Sequence, residues 1–277
     1  MNGWDQQRET FRNIDIPRFI VSVLILSGAF SLLPLASKRT ATLFNREISI
    51  WKSYQAYFFA QIGKYLPGGI WSYVGRVYLL QHRGIEKEIA LYMTLLELFF
   101  LTLSGYFCFL LSAYFWDQMP LFISVLFWGG VFVMGVFLFL PFFHKRITPF
   151  FVRSGIDGRE GDRFKEISAI ILLYSCFWGM VGFGFYWMTA AVVSIPLKMS
   201  LILLGLYPMA WILANFFFFI PAGIGIREGA LIYLLNFYLT PQQSIGVSLI
   251  SRFWWILAEF ICAGLVLIGH YSNKGKE

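Results

Sequence analysis

The charged side chains best placed for chemistry flank two interruptions in otherwise apolar sequence. The first interruption is Pro67-Gly68-Gly69. Lys64 lies just before it and Arg76 less than two helical turns beyond it. A helix that begins near Gly69 directs its unpaired backbone amides and the positive end of its dipole at the break. Together with the two cations, these donors predict a pocket for an anion, with phosphate as the natural occupant. The alternative is that both cations extend to the lipid headgroups and bind no ligand.

The second interruption follows the same plan with Pro221, Gly223 and Gly225. Its Gly-x-Gly looks like a nucleotide-binding loop, but no strand is predicted before it, so no nucleotide is expected. Arg227 and Glu228 follow directly. Adjacent helical residues point to different faces, so these two are not expected to neutralise each other, and one should face a partner or a cavity. The alternative is a buried ion-pair network that only holds the segment in place.

Three further charges, Glu97, Arg252 and Glu259, lie within apolar runs long enough to cross a membrane. A lone charge at the bilayer centre costs at least about 2.5–3.5 kcal/mol, so each should be paired or face a cavity. Corresponding positions after the two interruptions predict that Glu97 pairs with Arg252, or else with Arg227. The spacing of Arg252 and Glu259 places both on one helix face. A purely structural salt bridge is the alternative.

The candidate substrate-binding residues are those of the two interruptions and these charges: Lys64, Pro67, Gly68, Gly69, Tyr73, Arg76, Glu97, Pro221, Gly223, Gly225, Arg227, Glu228, Arg252 and Glu259. No catalytic residue is predicted, because a membrane enzyme would need an acid–base or metal cluster, such as paired aspartates at a span end. No metal or cofactor is predicted either. The three cysteines lie within apolar runs as small hydrophobic residues, and the three histidines are dispersed.

The elements that carry these residues are predicted to be membrane helices. The chain of 277 residues is 58% hydrophobic and 13% charged, whereas a soluble domain has about a quarter of its residues charged. This composition predicts an all-α, polytopic transmembrane bundle forming one domain, 1–277. Spans are predicted at 18–37, 87–116, 119–143, 167–195 and 244–270, re-entrant or broken segments at 50–81 and 199–240, and a cytoplasmic loop at 144–166. The aromatic excess, including Phe216–Phe219, Trp254 and Trp255, is interpreted mainly as lipid contact and interface anchoring.

The net charge of +7 indicates membrane topology and no nucleic-acid partner, because the basic residues lie in loops beside apolar spans. The basic loop 144–166 is expected in the cytoplasm, which also places the C-terminus there. Successive spans cross the membrane in alternating directions, and this makes the two interrupted segments enter from opposite faces. The N-terminus then falls outside, against the weak opposing signal of its own arginines.

The two interrupted segments also resemble each other. Aligning Pro67 with Pro221 pairs Gly69 with Gly223, and upstream it pairs the amides Gln61 and Asn215. Similar sequence with opposite entry predicts an inverted repeat. In transporters built this way, the binding site lies where the broken helices meet.

At two motifs the chain resembles the lysylphosphatidylglycerol synthase transmembrane-region family, also called flippase-like. The first is KYLPGG from Lys64, followed by Arg76 and Glu97. The second is PAGIGIREG from Pro221, followed by Arg252. The resemblance runs from about residue 51 to the C-terminus. It implies a polytopic helical fold with re-entrant elements and the movement of lipids between leaflets.

Family members include the flippase half of the bacterial multiple peptide resistance factor and relatives associated with lipid-linked sugars. The resemblance therefore implies a bacterial or archaeal cytoplasmic membrane. Aminoacyl-lipid synthesis is not expected, because no synthase domain occurs in this sequence. Members of the family also have a further span before the first one predicted here.

The function predicted is a lipid translocase for an anionic or phosphate-bearing lipid, such as a phospholipid or a polyprenyl-phosphate-linked sugar. No Walker A sequence occurs, so an ion gradient or downstream consumption of the lipid would drive it. The expected partners are membrane lipids, with proteins of envelope biosynthesis as further candidates. Two alternatives stay open: a scaffold or accessory subunit of an envelope-lipid pathway, and a membrane enzyme acting on lipid-linked sugar.

Overall fold

A computed structural model of the chain describes residues 14–66, 69–116, 124–125, 128–129, 160–217 and 220–274. Within these ranges the chain forms eight long or medium-length α-helices: α1 Ile16–Leu43, α2 Ile50–Gln61, α3 Trp71–Gln81, α4 Lys87–Ala113, α5 Glu160–Val192, α6 Met199–Phe216, α7 Ile226–Leu235 and α8 Pro241–Lys274. The predicted all-α fold is confirmed.

Five helices are long and apolar enough to cross a membrane, namely α1, α4, α5 from Phe164, α6, and α8 as far as Ser272. Four of the predicted spans coincide with α1, α4, α5 and α8, with ends that differ by a few residues. Most of the span predicted at 119–143 and most of the loop at 144–166 lie outside the described residues, as do Pro67 and Gly68.

The long helices pack closely because small residues lie at their contacts. A methyl group at Gly205 of α6 would lie 2.6 Å from the Cα atom of Phe109 in α4. One at Gly182 of α5 would lie 2.6 Å from the Cα atom of Leu204 in α6. Such contacts between backbones let van der Waals packing stabilise helices that gain little from hydrophobic burial in lipid. They place α6 firmly against α4 and α5.

Both segments predicted to be interrupted are indeed broken. In the first, a 3₁₀ turn at Ile62–Tyr65 follows α2, and α3 begins at Trp71. In the second, a 3₁₀ turn at Pro221–Gly223 lies between α6 and α7. Helices α2, α3 and α7 have 12, 11 and 10 residues. At 1.5 Å per residue they extend about 15–18 Å, too short to cross a hydrocarbon core of about 30 Å.

The backbone turns at these breaks where glycine allows it. Gly69 has φ +61°, and Gly223 and Gly225 have φ +61° and +87°. Residues with side chains rarely adopt these left-handed values, whereas glycine does so without a steric penalty. Ala222 adopts a left-handed φ of +48° as well.

The two broken segments start from opposite ends of the bundle. On the first segment, Gln55 of α2 has its Nε2 atom 2.8 Å from Nδ1 of His270, near the end of α8. On the second, Tyr238 beyond α7 packs against Trp116 beyond α4, with ring centroids 6.1 Å apart. Opposite starting points are what an inverted repeat requires. Re-entrant entry and a pseudo-two-fold axis stay predictions.

The end of the bundle that holds the first segment is rich in basic side chains. Arg39 donates to Glu166 at 3.1 Å, Arg46 donates to Glu86 at 2.6 Å, and Arg83 lies beside Gln55. Basic loops favour the cytoplasmic side of a membrane. The C-terminal part of α8 lies at the same end, where His270 meets Gln55.

Candidate functional site

A cavity of about 150 Å³ lies where the two breaks meet. Its walls come from both breaks and from helices α2 to α8. Eight of the predicted binding residues line it: Lys64, Gly69, Tyr73, Arg76, Glu97, Gly223, Arg227 and Arg252. Two more, Glu228 and Glu259, bind residues of the lining, as described below. Pro221 and Gly225 belong to the second break but are not among the residues that line the cavity.

Arg76 and Glu97 form one ion pair of the cavity, joining α3 to α4. The Arg76 guanidinium also lies 4.5 Å from the centre of the Tyr57 ring, a distance typical of a cation–π contact. The predicted Glu97–Arg252 pair is therefore wrong, as is the Glu97–Arg227 alternative. The reason is local: a short connection at 82–86 joins α3 and α4, which pack side by side, so Glu97 meets Arg76 directly.

Lys64 and Glu259 form a second ion pair, joining the first break to α8. The Glu259 carboxylate also accepts hydrogen bonds from the Tyr65 hydroxyl at 2.7 Å and from Trp255 Nε1 at 2.8 Å. Glu259 is buried, and these three donors satisfy both of its oxygens. The carboxylate of α8 thus holds the Lys64 turn in place.

Glu228 organises the second break. Its Oε2 accepts a hydrogen bond from the backbone amide of Gly225 at 2.7 Å and so caps α7. Its Oε1 accepts from Arg252 Nη1 at 3.0 Å, and the same nitrogen donates to the carbonyl of Ala222 at 3.1 Å. Arg252 and Glu259 share a helix, but each binds a different break.

Arg227 is held less tightly. Its Nη2 lies 3.5 Å from Glu228 Oε1, so the two neighbours do interact, contrary to the expectation from their positions on the helix. The contact arises because Glu228 turns back toward the helix start to cap Gly225. No described residue accepts a hydrogen bond from Arg227 Nε, although Arg227 is only 5% exposed.

Two aromatic rings flank the Arg227 guanidinium. The ring centres of Tyr207 and Trp255 lie 5.7 and 5.5 Å from it. The two rings stack on each other at 5.3 Å, with 18° between their planes. Trp254 and Trp255 are both buried, so their predicted role in lipid contact is wrong. An aromatic wall of this kind holds a planar cation by cation–π attraction without neutralising its charge.

The charges of the site do not balance. Of the described residues that line the cavity or contact its lining, four are cations, Lys64, Arg76, Arg227 and Arg252, and three are carboxylates, Glu97, Glu228 and Glu259. No cationic side chain among them is more than 18% exposed. One positive charge is thus in excess, and Arg227 carries it, since each of the other cations has a closer carboxylate.

Much of the polar and aromatic lining of the cavity was not among the predicted residues. Gln61 and Asn215 both line the cavity, as do Tyr57, Tyr174 and Trp211. The alignment of the two segments already pairs Gln61 with Asn215, so the repeat itself was the available signal for these amides. Tyr174 and Trp211 lie within long apolar helices, where sequence alone does not separate a cavity wall from a lipid contact.

The start of α3 partly matches the predicted anion pocket. Gly69, Ser72 and Tyr73 line the cavity there, and no described side chain caps the helix. Lys64 and Arg76 flank this helix start as predicted, but a carboxylate binds each of them.

One known family matches most of the chain. The family described as Lysylphosphatidylglycerol synthase TM region matches residues 2–259. The matched stretch contains both breaks and ends at Glu259, the carboxylate that binds Lys64. No curated protein matches the chain.

Proposed function

The chain belongs to the lysylphosphatidylglycerol synthase transmembrane-region family, and from that premise we propose that it is a lipid translocase. It is an integral membrane protein, and membership of the family connects it with membrane lipids. The substrate we propose is an anionic or phosphate-bearing lipid, whose headgroup moves through the cavity while its tails stay in the bilayer.

The observation that carries this proposal is the excess positive charge in a shielded cavity between two helix breaks. An uncompensated charge at membrane depth costs at least about 2.5–3.5 kcal/mol. An anionic headgroup offsets that cost by pairing with the spare cation. The irregular backbone at the two breaks supports the same conclusion, because membrane proteins keep such backbone only inside protein or beside a wet cavity.

Helix α3 supports a route for the lipid between bilayer and cavity. Tyr73 and Arg76 line the cavity. Ile70, Trp71 and Val74, by contrast, are 44–48% exposed and apolar. A headgroup bound beside Arg76 therefore lies one helix away from a surface suited to acyl or isoprenoid chains.

The proposal treats the protein as a transporter that leaves its substrate chemically unchanged. We place it in a bacterial or archaeal cytoplasmic membrane, with the basic end of the bundle and the C-terminus in the cytoplasm. With no Walker A sequence, transport would use an ion gradient or the consumption of the lipid on the receiving side.

Translocation in proteoliposomes tests the proposal. Purified protein is reconstituted, and the movement of a fluorescent phosphatidylglycerol between leaflets is followed by chemical quenching of the outer leaflet. We expect transport well above that of empty liposomes, with the lipid recovered unchanged by mass spectrometry. Arg227→Gln removes the excess charge without removing the main partner of any carboxylate. Losing a charge-assisted hydrogen bond worth about 1.5–3 kcal/mol should reduce transport roughly ten- to a hundred-fold.

Arg39→Gln provides the matched control. It removes one arginine charge from an exposed pair with Glu166, away from the cavity, and should leave transport unchanged. Wild-type transport equal to that of empty liposomes for several anionic lipids would overturn the proposal and favour the scaffold alternative. A lipid recovered in altered form would favour the enzyme alternative.

A further inference from the structure

We infer that the cavity selects a headgroup with a single negative charge, a phosphodiester, and that Arg227 is the residue that binds it. This inference deepens the proposed function and rests on it. The shared chemistry covers two sources of lipid: a glycerophospholipid and a polyprenyl phosphodiester.

Three of the four cations of the cavity are already paired with carboxylates. Arg76 binds Glu97, Lys64 binds Glu259, and each pair joins two different helices. Arg252 binds Glu228 at 3.0 Å. These three pairs have no net charge, so they provide little attraction for an anion at a distance. A ligand that displaced them would have to separate opposite charges in a shielded environment.

Arg227 is the cation that has no carboxylate of its own. It lies in the cavity wall and is 5% exposed, and among the described residues its Nε finds no hydrogen-bond acceptor. Its contact with Glu228 is 3.5 Å long, and Arg252 lies closer to that carboxylate. A guanidinium offers donors in a planar fork that matches two oxygens of a phosphate. Arg227 therefore brings to the cavity wall a charge that no carboxylate fully neutralises and a buried Nε with no described acceptor.

The single excess positive charge limits the number of negative charges that a bound ligand can carry. One negative charge on the ligand makes the whole set neutral, whereas two leave an uncompensated negative charge in a place of low dielectric constant.

Lipid binding at pH 8 tests the inference. The protein is placed in nanodiscs of neutral lipid, and phosphatidylglycerol or phosphatidic acid competes with a labelled phosphatidylglycerol. The phosphodiester carries one charge, while a phosphomonoester with a second pKa of about 6 carries close to two. We expect the wild type to prefer phosphatidylglycerol at least ten-fold. A polyprenyl phosphodiester bearing one sugar forms a third arm and identifies which source of phosphodiester binds better.

Glu228→Gln adds one positive charge to the site and should shift the preference toward phosphatidic acid by ten-fold or more. The glutamine side chain retains an oxygen that can accept from the Gly225 amide, so the cap of α7 can persist. Glu166→Gln makes the same chemical change in the exposed pair with Arg39 and should leave the preference unchanged. Should Glu228→Gln fail to fold, Glu259→Gln adds the same charge from the α8 side.

The outcomes separate the two proposals. A translocase whose lipid preference is the same in the wild type, Glu228→Gln and Glu259→Gln overturns the inference and leaves the proposed function standing. A wild type that prefers phosphatidic acid also overturns the inference. A protein that neither binds nor moves any of the three lipids overturns the proposed function itself.

Discussion

The two helix breaks hold their charges in different ways. The cations around the first break, Lys64 and Arg76, are neutralised by carboxylates of two other helices, Glu259 in α8 and Glu97 in α4. The second break supplies its own carboxylate, Glu228, which caps α7 and also binds Arg252. The first break is thus fixed by its neighbours, whereas the second is fixed from within by Glu228 and from α8 by Arg252.

The two breaks therefore contribute differently to the cavity. The carboxylates of α4 and α8 neutralise the cations of the first break. The first break therefore contributes mainly structure and a helix start with no side-chain cap. The second break has to share Glu228 between two arginines, so Arg227 is left with a charge that no carboxylate fully neutralises. Similar sequence motifs therefore lead to unequal roles, because the partner residues differ.

The largest loss of stability should come from breaking the ion pair between Arg76 and Glu97 of α4. Glu97→Gln leaves Arg76 without its carboxylate, and breaking a buried pair in this way typically costs about 3–5 kcal/mol. We expect that loss in the free energy of unfolding, measured by tryptophan fluorescence in mixed micelles. Glu86→Gln, in the exposed pair with Arg46, should cost about 1 kcal/mol or less. Equal losses for the two variants would contradict the view that the first break depends on its neighbours.

A double-mutant cycle between Lys64→Met and Glu259→Gln should show the next largest effect. The pair joins the first break to α8 by a charge-assisted hydrogen bond, so the coupling energy should be about 1.5–3 kcal/mol. The same cycle on Arg39 and Glu166 gives the value for an exposed pair, expected below about 1 kcal/mol. If the Lys64–Glu259 coupling does not exceed that control, Glu259 does not hold the first break.

The smallest of these effects concerns the backbone of the second break. Gly223→Ala forces alanine to a φ of +61° and brings its Cβ 2.8 Å from Cβ of Ala214 in α6. A left-handed alanine alone costs roughly 1–2 kcal/mol, and the contact adds to it. Gly229→Ala, within α7 and with no described atom near the new methyl group, should be neutral or stabilising. The unfolding assay above measures both; a Gly223→Ala variant as stable as Gly229→Ala would show that the break is not fixed from within.

The sequence predicted the helices and the position of both breaks well, because apolar length and Pro–Gly punctuation are local signals. It also predicted every charged residue among those that line the cavity. The sequence did not predict the pairing of these charges correctly, because Glu97 pairs with Arg76 and Arg252 with Glu228. Those contacts depend on how neighbouring helices pack and on side-chain rotamers. The stack of Tyr207 and Trp255 was missed for a related reason. An aromatic residue in an apolar helix has the same local signature whether it faces lipid or an arginine.

The attachment of both breaks to α8 has a mechanical consequence. Glu259 holds the Lys64 turn, and Arg252 holds the Ala222 carbonyl, two turns away on the same helix. At 1.5 Å per residue these anchor points are about 10 Å apart on one rigid rod. Any tilt or rotation of α8 therefore moves both anchor points together, so the geometry of one break is coupled to that of the other through this helix.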